Sequence, residues 1–392
     1  MSNVMKSYHM KNYFTREIDN PRLFISPSKY IQGPNVLSNI GKYIVGISPF
    51  NEKRSVIVVS SAGGLKRFQE RIQKSFEENK IECEFFTFNG QCSQVGIDSI
   101  CEVVHKKSGV DFMIALGGGK AIDTTRAVGT LCNIPVIVVP TLASNDSPTA
   151  SLSVVYQENG ERDYALFNYV NPALIIMDSE VIVNTPARYL AAGIGDAYST
   201  YIEARTCFES DTGINSTRCR PTLAAKAIAK SCTETLLNDS MTALQDLENK
   251  KVTVALENII EANTLLSGLG FENGGLGAAH AIGTGLTALE GIDSNYLHGE
   301  LVALDEELAQ TLEFFTKVGL PIVWSQLKLD INNDQTVSVV ANYALTKFWG
   351  MMNMQIPKEL DFVMKGIRRG NTIAQEYFEK NGCEQWNKHH HL

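Results

Sequence analysis

The chain has 392 residues and no apolar run near the ~18 residues that a membrane span needs. That shortage predicts no membrane partner. Its eight cysteines (83, 92, 101, 132, 207, 219, 232 and 383) contain no Cys-x-x-Cys pair, so they read as reduced, mostly buried thiols of an intracellular protein. Positive charge is also short: 35 basic residues face 43 acidic ones, for a formal net charge of −8. With no nucleic-acid motif, this argues against a polyanion partner. The first twenty residues lack the apolar core of a secretory signal. Lys6, Lys11 and Arg16, with no acid before Glu17, faintly echo a mitochondrial presequence; the reading is a disordered cytoplasmic extension, with mitochondrial targeting as the alternative. The run His389–His391 reads as a tag remnant or flexible end.

What is present is ordinary globular material, 44% apolar and 20% charged, long enough for two domains. Up to about residue 180, β-rich runs at 55–59, 82–88, 112–116, 135–139 and 173–177 alternate with helical patterns such as 65–79 and 97–107. Such interleaving predicts a doubly wound, mainly parallel sheet. A hairpin is expected to interrupt it, with strands at 152–156 and 164–167 around Asn159-Gly160. After Pro186 helical periodicity dominates, over 187–208, 221–237, 252–268 and 276–289. The expected organisation is an extension (1–21), an α/β domain (22–183), an all-helical domain (184–386) and a flexible tail (387–392).

The most informative block is 112–156. An apolar run meets Gly117-Gly118-Gly119 and Lys120, a helix follows, and a second apolar run ends in Thr141-Leu142-Ala143-Ser144-Asn145-Asp146. Two loops thereby fall at the carboxyl ends of neighbouring strands, where open α/β sheets bind ligands. The glycines admit a phosphate to the backbone, and the following helix offers unpaired N–H groups. The same residues also suit a plain strand-to-helix turn, with Ser144 and Asp146 in an Asx turn or N-cap and Asp123 a favourable charge in a helix's first turn. Asp123 is read as structural.

Histidine is scarce as well. Outside the tail only His9, His105, His280 and His298 remain. Asp196 lies inside the apolar helix AAGIGDAYSTYIEA, where an unpaired carboxylate is costly. With His280 and His298 it can form a three-ligand metal site that keeps a position open. A hydrogen-bonded helix Asp and two satisfied core histidines are the other reading, and spacing alone leaves both open. Two features favour the metal. Gly274, Gly275, Gly277, Gly283 and Gly285 suit close approach and are poor helix-core material. From Val252 to Thr316 there is no Lys or Arg, so nothing local would neutralise a carboxylate or bind a phosphate.

The segments SPSKYIQG (26–33), GGGKAIDTTRA (117–127), PTLASNDSPTASLSVVY (140–156), NPALIIMD (171–178), PARYLAAGIGDAYSTYIEA (186–204), EANTLLSGLGFENGGLGAAHA (261–281) and HGE (298–300) occur together and in order. In them the chain resembles glycerol dehydrogenases of the iron-containing (group III) alcohol dehydrogenase family. The resemblance implies a dehydroquinate synthase-like α/β domain followed by a helical one, with the active site in the interdomain cleft. It further implies Zn2+ in preference to Fe2+, held by Asp196, His280 and His298, and Asp146 on a substrate hydroxyl. NAD would contact Gly117, Gly118, Gly119, Lys120, Thr141, Leu142, Ser144, Leu152 and Tyr156. The chemistry implied is oxidation of glycerol or a related vicinal diol, a small neutral polyol, to dihydroxyacetone, in a homo-oligomer.

Three departures from the family pattern set further expectations. Ser61 stands where an acid usually holds the adenosine ribose; with Lys66 and Arg67 close by, NADP use is expected to be open. Ala150 replaces a frequent serine, and Gly283 a second histidine after the metal ligand. The seventeen residues 301–317 are fewer than the family has by about three helical turns, although Leu301, Leu304, Leu308, Leu312 and Phe315 still share one helical face. Two rival functions follow: a glycerol-1-phosphate dehydrogenase or dehydroquinate synthase-like enzyme, or a catalytically impaired paralogue whose His298 is poorly supported.

Overall fold

A computed structural model describes residues 21–46, 55–88, 90–107, 109–157, 162–168, 170–303 and 309–390. The chain divides into two compact units. One is Ser26–Leu142 with Ser147–Asn184; the other is Ala143–Asp146 with Thr185–Leu392 and the described residues 21–25. The short 143–146 segment therefore belongs to the helical unit, which no composition shift announces.

The first unit is built on β1 (Tyr30–Gly33), β2 (Ser55–Ser60), β3 (Glu82–Thr87), β4 (Phe112–Gly117), β5 (Val136–Pro140) and β8 (Leu174–Asp178). They form one wholly parallel sheet in the order β1-β8-β5-β4-β2-β3. The central strands are buried along nearly their whole length; both faces are covered, so they read as unbroken apolar runs. Val56, Val58, Phe112, Ile114 and Leu116 pack into one core, and Ile57, Val59 and Met113 into the other. The strand β1 had no counterpart among the expected elements. It is four half-buried residues at the sheet edge, and Asp178 at the end of β8 fixes the chain beyond it by accepting the Asn35 and Leu37 amides at 3.1 and 2.9 Å.

Helices α1 (Ile40–Val45), α2 (Ala62–Glu78), α3 (Gln94–Lys106) and α4 (Gly119–Cys132) accompany the sheet. The strands β6 (Leu152–Tyr156) and β7 (Arg162–Phe167) pair antiparallel as a separate hairpin; its Asn159-Gly160 turn, like residues 1–20, lies outside the described residues. Asp123 is structural in a different manner from that expected. It sits one turn into α4, pairs with Arg126 and accepts the Val154 amide of β6 at 3.0 Å, joining helix to hairpin.

The helical unit contains α5 (Ala187–Glu209), α6 (Leu223–Glu248), α7 (Val254–Glu261) and α8 (Ser267–Gly274), the last two joined by a π-helical turn at Ala262–Leu266. It continues through α9 (Ala278–Leu286), α10 (His298–Val302), α11 (Ala309–Val318), α12 (Asp334–Lys347), α13 (Leu360–Asn381) and α14 (Glu384–His390). Thr222 and Thr253 cap α6 and α7 by accepting the amides three residues on. The apolar face expected over 301–317 is carried by two helices: Leu301 on α10 and Leu312 and Phe315 on α11 are buried, and 304–308 lie outside the described residues. Residues 387–390, expected in a flexible tail, are helical, because Trp386 is buried and anchors α14. Among the described residues no helix is long and apolar enough to cross a membrane.

Candidate metal centre and nucleotide loop

On α5, Asp196, Thr200 and Glu203 stand at i, i+4 and i+7 and so share one face. That face meets α8 and α9. The Thr200 hydroxyl lies 2.9 Å from that of Ser267, and the Glu203 carboxylate takes both the His280 amide (2.9 Å) and His280 Nδ1 (2.6 Å). With Nδ1 engaged, His280 turns Nε2 to within 3.3 Å of Asp196 Oδ1, and His298 Nε2 lies 3.5 Å from the same oxygen. One ligand atom from each of the three residues falls within 4.8 Å of the others.

Small residues make this convergence possible. A Cβ on Gly299 would stand 1.8 Å from the Ala192 carbonyl oxygen, so α10 can lie against α5 only with glycine there. A Cβ on Gly283 would come within 3.1 Å of Val302 backbone atoms. The missing second histidine at this position is therefore matched by a tight α9–α10 contact.

Asp146 joins the cluster through the 143–146 segment. Its amide donates to Asp196 Oδ2 at 3.2 Å, and its Oδ2 accepts the Ser267 hydroxyl at 3.0 Å. Asn263, in the π turn, donates to the Ala143 and Leu190 carbonyls at 2.9 and 3.1 Å. The wide turn thus aims Asn263 and Ser267 at the same loop, a use of π geometry common at functional sites.

The electrostatics are those of a crowded acid–imidazole cluster. Burial, then the neighbouring Asp196 charge, push the Asp146 carboxyl well above the usual range. Burial also pushes Asp196 upward, but His298 and His280 outweigh it and hold its carboxyl low. Burial opposes the His280 charge, yet Glu203 and Asp196 raise its pKa well above the ordinary value. Asp196 Oδ1 is buried and accepts no hydrogen bond of good geometry among the described residues. A buried carboxylate oxygen left open between two imidazole nitrogens suits a cation better than it suits a finished hydrogen-bond network. The Glu203–His280 pair matches the carboxylate–histidine arrangement that orients metal-binding imidazoles.

In the α/β unit the expected nucleotide contacts fall at strand ends. β4 neighbours both β2 and β5, while the chain leaves β2 for β3 on the opposite side, so the topology switches between β2 and β4. The Gly117–Gly119 turn and Lys120 at the start of α4 lie at that switch point, and the Thr141 amide donates to the Gly117 carbonyl at 3.0 Å. Leu142 reaches to 3.4 Å from where a Gly118 Cβ would stand. Leu152 and Tyr156 are the ends of β6 on the hairpin rather than the main sheet, and Ser144 travels with the helical unit. Ser61 caps α2 by accepting the Gly64 amide at 3.1 Å. Arg126 was not expected; buried, it donates to the Ser147 and Ala150 carbonyls and shapes the loop around the replaced Ala150. Glu203, Ser267 and Asn263 were likewise missed.

A parallel sheet with a glycine turn at its switch point and a helical unit holding an Asp-His-His cluster describe a nucleotide- and metal-dependent oxidoreductase. The model of the family "Iron-containing alcohol dehydrogenase" matches residues 27–179. The glycerol dehydrogenase of Escherichia coli O6:H1 is 38% identical over 92% of this chain and 99% of its own length, and that of Thermotoga maritima is 37% identical over 88% and 96%. The crystal structure of glycerol dehydrogenase from Schizosaccharomyces pombe superposes with a TM-score of 0.86 at 31% identity, covering 93% of this chain and 94% of that one. The chain belongs to the iron-containing alcohol dehydrogenase family; the relatives just described are glycerol dehydrogenases, and a glycolaldehyde reductase of Halobacterium salinarum is 36% identical over 82% of this chain and 89% of its own length.

Proposed function

We propose that the protein is an NAD-linked, metal-dependent glycerol dehydrogenase that oxidises glycerol or a related vicinal diol to the ketone, dihydroxyacetone in the case of glycerol. The observation that carries the reading is the buried, open Asp196 Oδ1 between His280 Nε2 and His298 Nε2. Asp196, His280 and His298 would hold the ion, and Glu203 fixes the His280 tautomer. A bound dication supplies Lewis-acid polarisation of a hydroxyl oxygen, and NAD supplies the hydride acceptor. Two histidines and a carboxylate serve either Zn2+ or Fe2+; zinc is the proposal, because hydride transfer asks for polarisation without a change of metal oxidation state. Asp146, buried and pushed toward its protonated form, can exchange a hydrogen bond with a substrate hydroxyl. Burial keeps water from that carboxyl, and Ser267 and the Asp196 contact hold it in place.

Gly117, Gly118, Gly119, Lys120, Thr141, Leu142, Ser144, Leu152 and Tyr156 are the proposed NAD contacts. Ser61 carries no charge to repel a 2′-phosphate, so NADP is proposed as a second, accepted cofactor. A phosphorylated substrate is disfavoured: Arg188, which α5 brings to the α10 segment, is already bound bidentately to Glu300 at 2.8 Å on both nitrogens. The impaired reading loses its ground as well, since His298 stands with Asp196 and α10 is pinned by Glu300. Leu223, Leu237 and Met241 are exposed on one side of α6, surface that a homo-oligomer would cover. The deciding experiment follows NAD reduction with glycerol and 1,2-propanediol before and after chelation, beside Asp196→Ala. Activity that persists through both treatments refutes the metal-dependent reading.

A further inference from the structure

The last described helix touches both ends of the short stretch after His298. In α14, Trp386 is 1% exposed, and its ring stacks with those of Tyr296 (centroids 6.4 Å apart) and His390 (3.5 Å). His390 Nε2 lies 3.3 Å from Glu300 Oε1. Glu300 is itself buried; it binds Arg188 and accepts the Leu297 amide at 2.8 Å, which closes the first turn of α10. On the far side, a Cβ on Gly319 would stand 2.6 Å from the His389 ring, and Cys383 Sγ lies 3.6 Å from the Leu320 carbonyl oxygen. So one seven-residue helix contacts Tyr296 and Glu300 before the shortened stretch and Gly319 after it, and Cys383, just ahead of the helix, reaches Leu320.

We propose that α14 is a clamp that positions α10, and through it His298, for metal binding. His390 and Trp386 are its positioning residues. The physical need is plain. With five residues, α10 is far too short to hold itself as a helix in water. His298 is the first residue of that helix. Its placement depends on the helix beneath it, and that helix is tied through Glu300 and Tyr296. His390 therefore belongs to the support of the proposed metal centre rather than to a flexible tail.

The inference rests on the metal reading, and its test keeps the two apart. Zinc affinity is measured by competition with a chromophoric chelator on the full chain, His390→Ala and Trp386→Ala, counting only the binding that Asp196→Ala abolishes. Amide hydrogen exchange at 298–302 is followed without metal, together with the thermal midpoint. His390→Ala is expected to weaken zinc binding about tenfold, at the low end of what outer-shell changes cost, at a nearly unchanged midpoint, with His390→Gln restoring part of it. Trp386→Ala is expected to speed exchange at 298–302 as well; if it does not fold, His390→Ala decides alone. Unchanged zinc affinity and unchanged exchange in folded variants overturn the clamp. Zinc binding indifferent to Asp196→Ala overturns the metal reading instead, while faster exchange at 298–302 still supports the clamp.

Discussion

The two units present their chemistry in opposite ways. In the α/β unit the candidate nucleotide loop is mostly backbone: three glycines, a helix start and strand ends, with Lys120 exposed beside them. In the helical unit the candidate metal centre is mostly side chain: Asp146, Asp196, Glu203 and His280 are all buried and tied to one another. A backbone site tolerates changes of side chain so long as the turn is kept. A buried cluster of acids and imidazoles does not, because removing one member strands the charge of the rest. Substitutions should therefore be graded in the helical unit and mild at the edge of the α/β unit.

The largest effect is expected at Asp196, and it gives the sharpest way to break this contrast. Asp196→Ala should abolish stoichiometric metal binding and reduce kcat/KM by more than the ~10–100-fold typical of outer-shell changes; metal analysis of the purified variant checks it. Glu203→Gln keeps the shape but weakens the hold on His280, and should fall within that ~10–100-fold range in metal affinity. Equal effects of the two substitutions would mean that Asp196 is no ligand. On the stability side, Gly299→Ala must push α10 off the Ala192 carbonyl. A cost of about 3 kcal/mol, the upper part of the overpacking range, is expected from denaturant unfolding.

How far these residues could be read in advance follows from the same contrast. The central strands were legible because parallel strands covered on both faces must be apolar throughout. β1 was not, because its four residues are half exposed at an edge and carry no pattern. Asp196 announced itself as an acid in an apolar helix, and His280 and His298 by their rarity. Glu203 stayed hidden: it sits in the polar second half of α5, and its partner lies 77 residues away. Asp146 rested on family resemblance alone, and nothing local says that 143–146 joins the helical unit. The three tail histidines drew attention away from Trp386, the one bulky apolar residue that explains why 387–390 are ordered into a helix.

A smaller effect concerns acid stability. Burial pushes the Glu300 carboxyl upward, but hydrogen bonds from Arg188 and the Leu297 amide, the Arg188 charge and the nearby His390 ring hold it below the ordinary value of 4.5. A carboxyl with a depressed folded-state pKa contributes stability that is complete above the unfolded value and is lost as pH falls through the folded one. Unfolding free energy should therefore drop below about pH 4.5 in the native chain, and less steeply in Glu300→Gln, which starts lower at neutral pH. Parallel acid profiles for the two proteins would remove Glu300 from this account.

The mildest change is predicted at the edge of the α/β unit, where it tests whether a backbone site still carries a side-chain preference. Ser61 ends the loop after β2, the strand beside the glycine-bearing β4, and its hydroxyl caps α2. Aspartate is also a good N-cap, so Ser61→Asp can accept the Gly64 amide in the same way and leave the fold intact. What it adds is a charge that repels a 2′-phosphate and a second oxygen that can take a ribose hydroxyl. The variant should bind NADP more weakly by about tenfold, the equivalent of ~1.4 kcal/mol, while NAD binding stays level or improves, as read by quenching of protein fluorescence on titration with each cofactor. An equal loss for both cofactors would mean that the substitution harmed the cap rather than the choice. No change for either would place the adenosine away from Ser61, and the proposed NADP tolerance would then have no residue to rest on.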